Sequence, residues 1–499
     1  MITNFSGGIL MRRRFLSIIV CLLVLITGLS GCNSEEIDVV WYVGNGVIEY
    51  IGNEDDYYKP IINEKTKAVN ERLKKLNLNI NIVFKAYKDD IFYNFGENAL
   101  TLNQNSNPIN SLKEIDKDID ILTFNKENYD EYEILDSYLN NEGGEELKSI
   151  LLPEIWESQK IFGAIYQVPK PGLLTNRYGY IVNKDFMIKH NLTINDFEGS
   201  PLEIFNILSS LAVNDDKFKS EYILTRPEFV SVSNFFPGEY KTLMKQYNGW
   251  EGILIRNSDN KIVNIFEENK IIEQFEIYQE IYTKDLDGHI ENLDLPVIFS
   301  MSAIFPEEYY QNREELSEVY IPISDFLEVE SVGYGILKDS KNKEAAFTAL
   351  SAVYTDATIS NILIYGIEDV DYTLKDGHAV SLIDNNNSMP FGTFVDIGNN
   401  LITFPSEVEP TNKKELADIY SKKAISRNSN GFIPNYDNIQ QEYEQLSRIY
   451  SEAIVGIQYS KIENMKEYCL EVNNKLKEGG LDKVINELQN QLDSYLGDY

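Results

Sequence analysis

The feature that most constrains the fold is a strand–helix–strand pattern near the start of the globular part. Residues 39–43 (VVWYV) form an apolar run typical of a buried strand, and residues 80–87 (INIVFKAY) alternate as a half-buried strand does. Between them, Ile62 and Val69 mark one side of a helix that we expect to open at Pro60. This order of elements predicts a right-handed crossover and a parallel pair of strands. The expected fold class is therefore α/β.

A second unit of the same kind ends at residues 118–125, with the sequence DIDILTFN. In open α/β sheets, ligands bind beyond the carboxyl ends of the parallel strands. We therefore expect the ligand face near Gly44 and Asn45, which follow the first strand, and near Phe124 and Asn125, which follow the third.

The length of 499 residues exceeds that of one ordinary domain and indicates two large lobes. A Pro- and Gly-rich segment at residues 165–172 (IYQVPKPG) lies between strand-like runs and has the character of a crossover between lobes. Two amphipathic helices close the chain. Cys469 continues the apolar stripe of the first of these helices, so we expect a buried core thiol and no internal disulfide in the mature protein.

The N-terminal segment has the pattern of a bacterial signal peptide. A short arginine cluster precedes an uncharged run over residues 15–29. This run is shorter than the roughly twenty apolar residues that a membrane-spanning helix needs. The sequence LSGC at residues 29–32 resembles a lipobox, in which cleavage precedes a lipid-bearing cysteine. We expect residues 1–31 to be removed, Cys32 to carry the acyl chains, and residues 32–37 to form a tether.

The charge of the chain excludes several partners. It carries 79 acidic and 45 basic residues, for a formal net charge of −34. So acidic a protein is not expected to bind nucleic acid or to adhere electrostatically to anionic lipid. Membrane attachment would therefore depend on acyl chains at Cys32, since two chains give stable anchoring where one is marginal. The expected location is the outer face of a Gram-positive cell membrane.

Motifs of common catalytic and metal sites are missing from the sequence. It has three histidines, and it contains no HExxH, no GxSxG and no phosphate-binding GxxxxGK[ST] motif. The many carboxylates single out no pair for glycoside hydrolysis. We therefore expect a protein that is not an enzyme and that has no cofactor and no metal site built on histidines. We also expect it to be a monomer.

Four stretches of sequence, taken in order, are similar to one protein family. They are the lipobox followed by IDVVWYVG, the segment IYQVPKP…RYGYIVNKDFMIKHNL, the segment KNKEAAFTALSAVYTDATISNILIYGIEDVDYTL, and the ending NNKLKEGGLDKVINELQNQLDSYL. Together they resemble the extracellular solute-binding lipoproteins of bacterial ABC importers, of the family 1 type and its oligosaccharide-associated branch of large lipoproteins.

The resemblance implies a two-lobed fold of the type II periplasmic-binding-protein kind, with a cleft between the lobes that closes on a solute by hinge motion. Crossovers are expected near residues 166–172, 320–325 and 390–405. The implied lobes are discontinuous, with residues 38–168 and 325–395 in the first and residues 169–324 and 396–499 in the second.

The resemblance also implies a carbohydrate ligand, an ABC permease as partner and a cleft lined by aromatic side chains. Flat rings pack against the C–H faces of sugars, and polar groups bond the hydroxyls. The candidate ligand-binding residues lie near predicted strand ends or crossovers; they are Tyr42, Asn45, Phe124, Asn125, Tyr166, Tyr178, Arg226, Phe305 and Phe391.

Two other functions remain open from the sequence. The abundance of carboxylates and aromatics also suits a surface-anchored carbohydrate hydrolase. A sensor or adhesion lipoprotein that binds sugar without delivering it would have the same sequence features.

Overall fold

The computed structural model describes residues 36–44, 57–87, 108–141, 143–171, 177–197, 204, 207, 232, 236, 238–244, 252–283, 297–302, 318–322, 333–382, 397–407, 409–423 and 428–498. In chain order its helices and strands are β1 (Ile37–Val43), α1 (Glu64–Lys75), β2 (Ile80–Ala86), α2 (Pro108–Ile115), β3 (Ile121–Thr123), α3 (Asp136–Leu139), α4 (Gly144–Ser149), α5 (Pro153–Ser158), β4 (Val168–Pro169), β5 (Arg177–Asn183), α6 (Lys184–Lys189), β6 (Tyr240–Thr242), β7 (Ile253–Arg256), β8 (Lys261–Asn264), α7 (Asn269–Thr283), β9 (Val297–Ser302), β10 (Glu318–Pro322), β11 (Gly333–Ile336), α8 (Lys343–Thr355), α9 (Ala357–Tyr365), β12 (Tyr372–Lys375), β13 (His378–Ser381), α10 (Lys413–Lys423), α11 (Gln440–Tyr459), α12 (Met465–Glu478) and α13 (Leu481–Asp498).

The first sheet has the strand order β2-β1-β3-β11-β4. β1 runs parallel to β2, with Ile37 opposite Ile80, and parallel to β3, with Trp41 opposite Ile121. The parallel pairing predicted from the strand–helix–strand pattern is confirmed. β11 runs antiparallel to both β3 and β4. The sheet therefore combines a parallel half with strands that come from the crossings between lobes.

The helix between β1 and β2 begins later than the sequence predicted. Pro60 forms an isolated bridge to β2, and α1 starts at Glu64, after the N-cap Asn63. Asn63 and Thr66 form a reciprocal capping box, in which each backbone amide donates to the other side chain. Ile62 precedes this cap and is 77% exposed, so its expected place on the buried side of the helix is wrong. The capping box at Asn63, and not Pro60, sets where the helix begins.

The two largest hydrophobic cores of the described residues are separate and belong to different lobes. The first-lobe core takes its buried residues from 39–168 and 334–397, and the second-lobe core takes its own from 180–321 and 432–492. These ranges interleave along the sequence. Each of these two cores is therefore built from discontinuous segments.

The strands that flank two crossings between the sheets pair with each other. β4 leads toward β5, and β10 leads toward β11. In the first sheet Pro169 lies opposite Gly333, and in the second sheet, of order β10-β5-β9, Gly179 lies opposite Pro322. The two connections thus begin and end as neighbouring antiparallel strands, which is an arrangement suited to a hinge.

The segment that carries α10 packs on the first lobe. The side chain of Asn399 donates a hydrogen bond to the carbonyl of Tyr354 at 2.9 Å, and its backbone amide donates to Ser360 Oγ at 3.1 Å. The lobe boundary expected from the sequence, at residue 396, comes before these contacts. We propose that the first lobe continues to Lys423, because buried polar groups of α8 and α9 are satisfied by this segment.

The second lobe adds an antiparallel sheet of order β6-β7-β8 and the three C-terminal helices. Cys469 on α12 is 1% exposed, as expected for a core thiol. On α13, Val484, Leu488 and Leu492 are fully buried in the same core. The two amphipathic helices predicted at the end of the chain are confirmed.

A membrane-spanning helix is not found among the residues described above: none of their helices has the length and apolarity for it. The predicted leader and Cys32 lie outside the described residues.

Candidate functional site

The carboxyl ends of β1, β2 and β3 meet at one edge of the first sheet. Tyr87, which follows β2, donates its hydroxyl proton to Thr123 Oγ1 at 3.1 Å. Gly44, which follows β1, lies against the same hydroxyl, since a Cβ there would be 3.3 Å from it. The backbone amide of Phe124 donates to the carbonyl of Gly333 at 2.8 Å. This edge is therefore joined directly to strand β11, which follows a crossing between the lobes.

Phe124 and Asn125 sit at this edge as the sequence predicted. Phe124 is half-buried and packs against Tyr132, with ring centroids 4.9 Å apart. The side-chain oxygen of Asn125 accepts a hydrogen bond from the amide of Glu127 at 3.0 Å and caps the 3-10 helix Lys126–Glu131. These contacts hold both residues in place at the end of β3.

Further aromatic rings extend from this edge and include Tyr166, another predicted residue. The ring of Tyr129 lies 5.3 Å from that of Tyr166 and 5.4 Å from that of Phe162. Phe124 and Tyr166 both pack on one buried cluster of the first lobe, to which Tyr132 belongs. We call the partly exposed residues Phe124, Tyr129, Phe162 and Tyr166, together with the buried Tyr132 on which Phe124 packs, the aromatic strip.

The aromatic strip reaches the second lobe through a tight turn. Ile161 and Ala164 form an antiparallel bridge, and Phe162 and Gly163 between them have φ of +47° and +79°, as in a type I′ hairpin turn. Phe162 is 45% exposed at the tip of this turn. Its ring contacts that of Tyr495 on α13, with centroids 6.1 Å apart.

A loop of the second lobe approaches the same turn. Gly431 has φ of +77°, and a Cβ at this position would lie 2.1 Å from the carbonyl oxygen of Lys160. Only a residue without a side chain fits so close an approach of two backbones. The hydroxyl of Tyr495 donates to the carbonyl of Asn430 in this loop. The turn, the loop and α13 thus form a contact between the lobes beside the aromatic strip.

Tyr42 does not contribute to this surface. Its side chain is fully buried, and its hydroxyl donates to Asp116 Oδ2 at 2.8 Å, where Lys85 also binds at 2.6 Å. Burial, followed by the hydrogen bond and negative charge of Asp116, raises the pKa of Tyr42 well above its usual range. The expectation that Tyr42 faces a ligand is wrong in this conformation, because alternation along β1 turns it toward α2.

The other predicted residues cannot be placed in the site. Tyr178 lies in β5 opposite Met301, and only its backbone is described. The remaining candidates fall outside the described residues; they are Asn45, Arg226, Phe305 and Phe391.

Tyr129, Tyr132 and Phe162 were not among the residues predicted from the sequence. Phe162 could have been suspected from the dipeptide Phe-Gly between two strand-like runs, since a glycine at this point favours a tight turn. Tyr129 and Tyr132 gave no such signal, because they follow β3 in a segment with no clear period.

The described surface carries neutral polar groups beside its aromatic rings. Burial raises the pKa of Tyr132 far above its usual range, so its hydroxyl stays protonated. In the second lobe, burial, followed by the nearby Tyr443 and Glu127, raises the pKa of Tyr436 in the same way. No group of three or more His, Cys, Asp or Glu side chains able to hold a metal occurs within the described ranges. Flat rings with fixed hydroxyl and amide groups beside them suit a carbohydrate.

Comparison with known proteins shows the fold. Residues 428–497 match the family described as "Domain of unknown function (DUF3502)". A carbohydrate ABC transporter substrate-binding protein of Streptococcus pneumoniae is 24% identical over 423 residues, which cover 76% of this chain and 82% of that protein.

Among solved structures, the N-glycan transport solute-binding protein NgtS of S. pneumoniae has a TM-score of 0.68 at 18% identity, over 92% of this chain and 99% of NgtS. The complex of NgtS with Man1GlcNAc has a TM-score of 0.58 over the same shares of both chains. The chain thus has the two-lobed α/β fold of solute-binding proteins, which confirms the predicted fold class and the resemblance.

Proposed function

We propose that this protein is an extracellular receptor that captures an oligosaccharide by hinge closure and delivers it to the permease of an ABC importer. The observation that carries the proposal is the aromatic strip, which lies at the carboxyl edge of the first sheet, beside a crossing, in a chain with the fold of solute-binding proteins. The relatives named above are described as a substrate-binding protein of a carbohydrate ABC transporter and a solute-binding protein of N-glycan transport.

The two TM-scores of NgtS support a hinge motion. Both comparisons cover 92% of this chain at the same identity, yet the score falls from 0.68 to 0.58 when the NgtS structure contains a glycan. Since the compared sequences are the same, the difference reflects the arrangement of atoms. This chain is closer to the NgtS structure whose description mentions no glycan, which agrees with an open state that a ligand would close.

The proposal is tested by isothermal titration with Man1GlcNAc and Man5GlcNAc, the glycans bound in two NgtS structures. Unbranched oligosaccharides serve as comparison and peptides as controls. We expect a dissociation constant in the micromolar range or below, equivalent to about 8 kcal/mol or more. Small-angle scattering at saturation should show compaction. If the protein binds a peptide and no oligosaccharide, the proposed carbohydrate ligand is wrong. If the radius of gyration is unchanged at saturation, the lobes do not close on the ligand.

The hydrolase alternative has a direct test. The protein is incubated with the oligosaccharide that binds, and the products are separated by mass. We expect the sugar to remain intact, because the described surface offers rings and amides in place of a catalytic pair. Sustained release of shorter products would make the protein an enzyme.

A lipid anchor at Cys32 is part of the proposal. It rests on the LSGC sequence and on the short apolar leader, and it would hold the receptor as a monomer on the outer face of the membrane. Cys32→Ser should leave an unprocessed precursor without lipid. Cys469→Ser is the matched control, because that thiol is buried in the core and should not affect processing. Normal processing and membrane retention of the Cys32 variant would refute the anchor.

Delivery to a permease separates a transport receptor from a sensor. Deletion of the receptor should abolish uptake of the bound oligosaccharide by cells, and expression of the intact protein should restore it. Uptake that persists without the receptor would favour the sensor or adhesion role.

A further inference from the structure

We propose that Tyr132 is a positioning residue that fixes the ligand-facing segment 123–125 to strand β11, so that ligand affinity depends on a hydroxyl that the ligand does not touch. This inference rests on the proposed function and identifies how the site is coupled to the crossing.

Tyr132 holds the segment 123–125 by three contacts. Its hydroxyl donates to the carbonyl of Thr123 at 2.6 Å and accepts from the amide of Asn125 at 3.2 Å. Its ring packs on Phe124 at 4.9 Å. Because Tyr132 is 1% exposed, water does not replace these hydrogen bonds when they are lost.

Tyr132 is joined equally closely to β11. It forms an antiparallel bridge with Leu337, next to the end of the strand, and the amide of Glu133 donates to the carbonyl of Ile336 at 2.8 Å. A Cβ at Gly335 would lie 2.4 Å from the ring of Tyr132. The glycine therefore provides the space that the ring of Tyr132 occupies next to the strand.

The coupling follows from where β11 stands in the chain. β11 is the first element after the crossing from β10, and the amide of Phe124 bonds to the carbonyl of its first residue, Gly333. Rotation of the lobes about the crossings would act on β11. Through Tyr132, Phe124 and Asn125 move together with this strand. Their positions relative to each other and to β11 therefore stay the same while the lobes close on the ligand.

The experiment compares Tyr132→Phe with a matched control, Tyr42→Phe. Both tyrosines are buried in the same cluster, and each substitution removes a hydroxyl that forms hydrogen bonds. The hydroxyl of Tyr42, however, bonds to Asp116 and not to the segment 123–125. With Man5GlcNAc as probe, we expect the dissociation constant to rise on the order of tenfold for Tyr132→Phe and less than twofold for Tyr42→Phe. Equal effects of both variants would overturn the proposal.

A double-mutant cycle separates positioning from general destabilisation. If Tyr132 acts through Phe124, then Tyr132→Phe should cost much less affinity in a Phe124→Ala background than in the wild type. Fully additive losses would show that Tyr132 does not act through Phe124.

Amide hydrogen exchange of the ligand-free protein tests the positioning role of Tyr132 independently of the proposed oligosaccharide binding. Tyr132→Phe should speed exchange at Asn125 while exchange in β2 is unchanged, and Tyr42→Phe should leave Asn125 unchanged. If the wild type fails to bind Man5GlcNAc and other oligosaccharides, the proposed function fails, yet exchange still decides whether Tyr132 fixes the segment. Unaltered exchange at Asn125 would overturn the inference by itself.

Discussion

The ring of Phe162, at the tip of a first-lobe turn, lies edge-on to the ring of Tyr495 on the last helix, with centroids 6.1 Å apart and ring planes at 79°. Tyr495 also packs on Phe432 at 5.7 Å, so the ring that the first-lobe turn meets is itself held by a second ring of the segment 428–497. The C-terminal segment therefore does more than complete the second-lobe core. It also contacts the first lobe next to the aromatic strip.

Phe124→Ala should weaken oligosaccharide binding by about 1–3 kcal/mol, the range for a central aromatic contact. Part of the ring already packs on Tyr132, so we also expect a small fall in melting temperature. Titration calorimetry and thermal unfolding measure the two effects. Phe347→Leu, in the first-lobe core on α8, is the control and should lower stability without changing affinity. Unchanged affinity of the Phe124 variant would remove this residue from the site.

Asp356→Asn should cost about 1–2 kcal/mol of stability at neutral pH. Asp356 caps α9 through the amide of Ile359 and binds Arg72 at 2.7 Å. Burial opposes its charge, but the hydrogen bonds from Arg72 and from the helix amides hold the pKa of Asp356 below its usual value. Asparagine keeps the cap and removes the ion pair.

The pH dependence of this effect has a defined sign. Because the folded state lowers the pKa of Asp356, its contribution is complete above the unfolded pKa of about 4 and is lost as the pH falls through the folded value. The stability difference between wild type and Asp356→Asn should therefore shrink below about pH 4. Asp118→Asn, in an exposed pair with Lys341, is the control and should have no measurable effect. A difference that persists at low pH would contradict the role of the charge.

Lys413→Met should destabilise the protein by about 3–5 kcal/mol, since it leaves a carboxylate unpaired in a buried site. Lys413 is 3% exposed, and its ammonium donates to Thr403 Oγ1 at 3.0 Å and to Glu409 Oε2 at 3.2 Å. Burial lowers the pKa of Lys413, and the charge of Glu409 only partly offsets it. Calorimetric unfolding measures the loss.

A second substitution tests the cause of that loss. In Lys413→Met with Glu409→Gln, no uncompensated charge remains, so we expect part of the stability to return. If the double variant is no more stable than the single one, the loss comes from packing and not from the buried charge.

Cys469 should react very slowly with a thiol reagent in the native protein at pH 8. Burial, with the nearby charge of Glu276, raises the pKa of this thiol to about 12, so little thiolate forms. Labelling is read by mass spectrometry of the peptide that contains Cys469. The adjacent substitution Leu470→Cys is the control, because Leu470 is 60% exposed and its replacement should react quickly. Equal rates at both positions would contradict the burial of Cys469.

Much of the fold could be predicted from the sequence, because the residue patterns that indicate helices, strands and their buried sides lie within single elements. The alternation along β2 and the three-and-four spacing around Cys469 each report which side of one element is buried, and both are present in the structure as predicted. The parallel pairing of β1 and β2 followed from the handedness of a crossover. The start of α1 was wrong because a capping box at Asn63 gave a stronger local signal than Pro60.

Long-range packing decided the rest. Phe124 and Asn125 could be proposed because the carboxyl ends of parallel strands share an edge, and the structure places both at that edge. The sequence could not show that Tyr42 is buried against Asp116, or that the side chain of Asn399 donates to the carbonyl of Tyr354 on the first lobe.

The sequence by itself determined the class of fold, the order of the elements and the buried side of most of them, since these depend on neighbouring residues. Only the tertiary structure decided which rings meet. Phe162 contacts Tyr495 because a tight turn and a close backbone approach at Gly431 bring distant segments together. Such contacts depend on the packing of whole lobes, which no local pattern encodes.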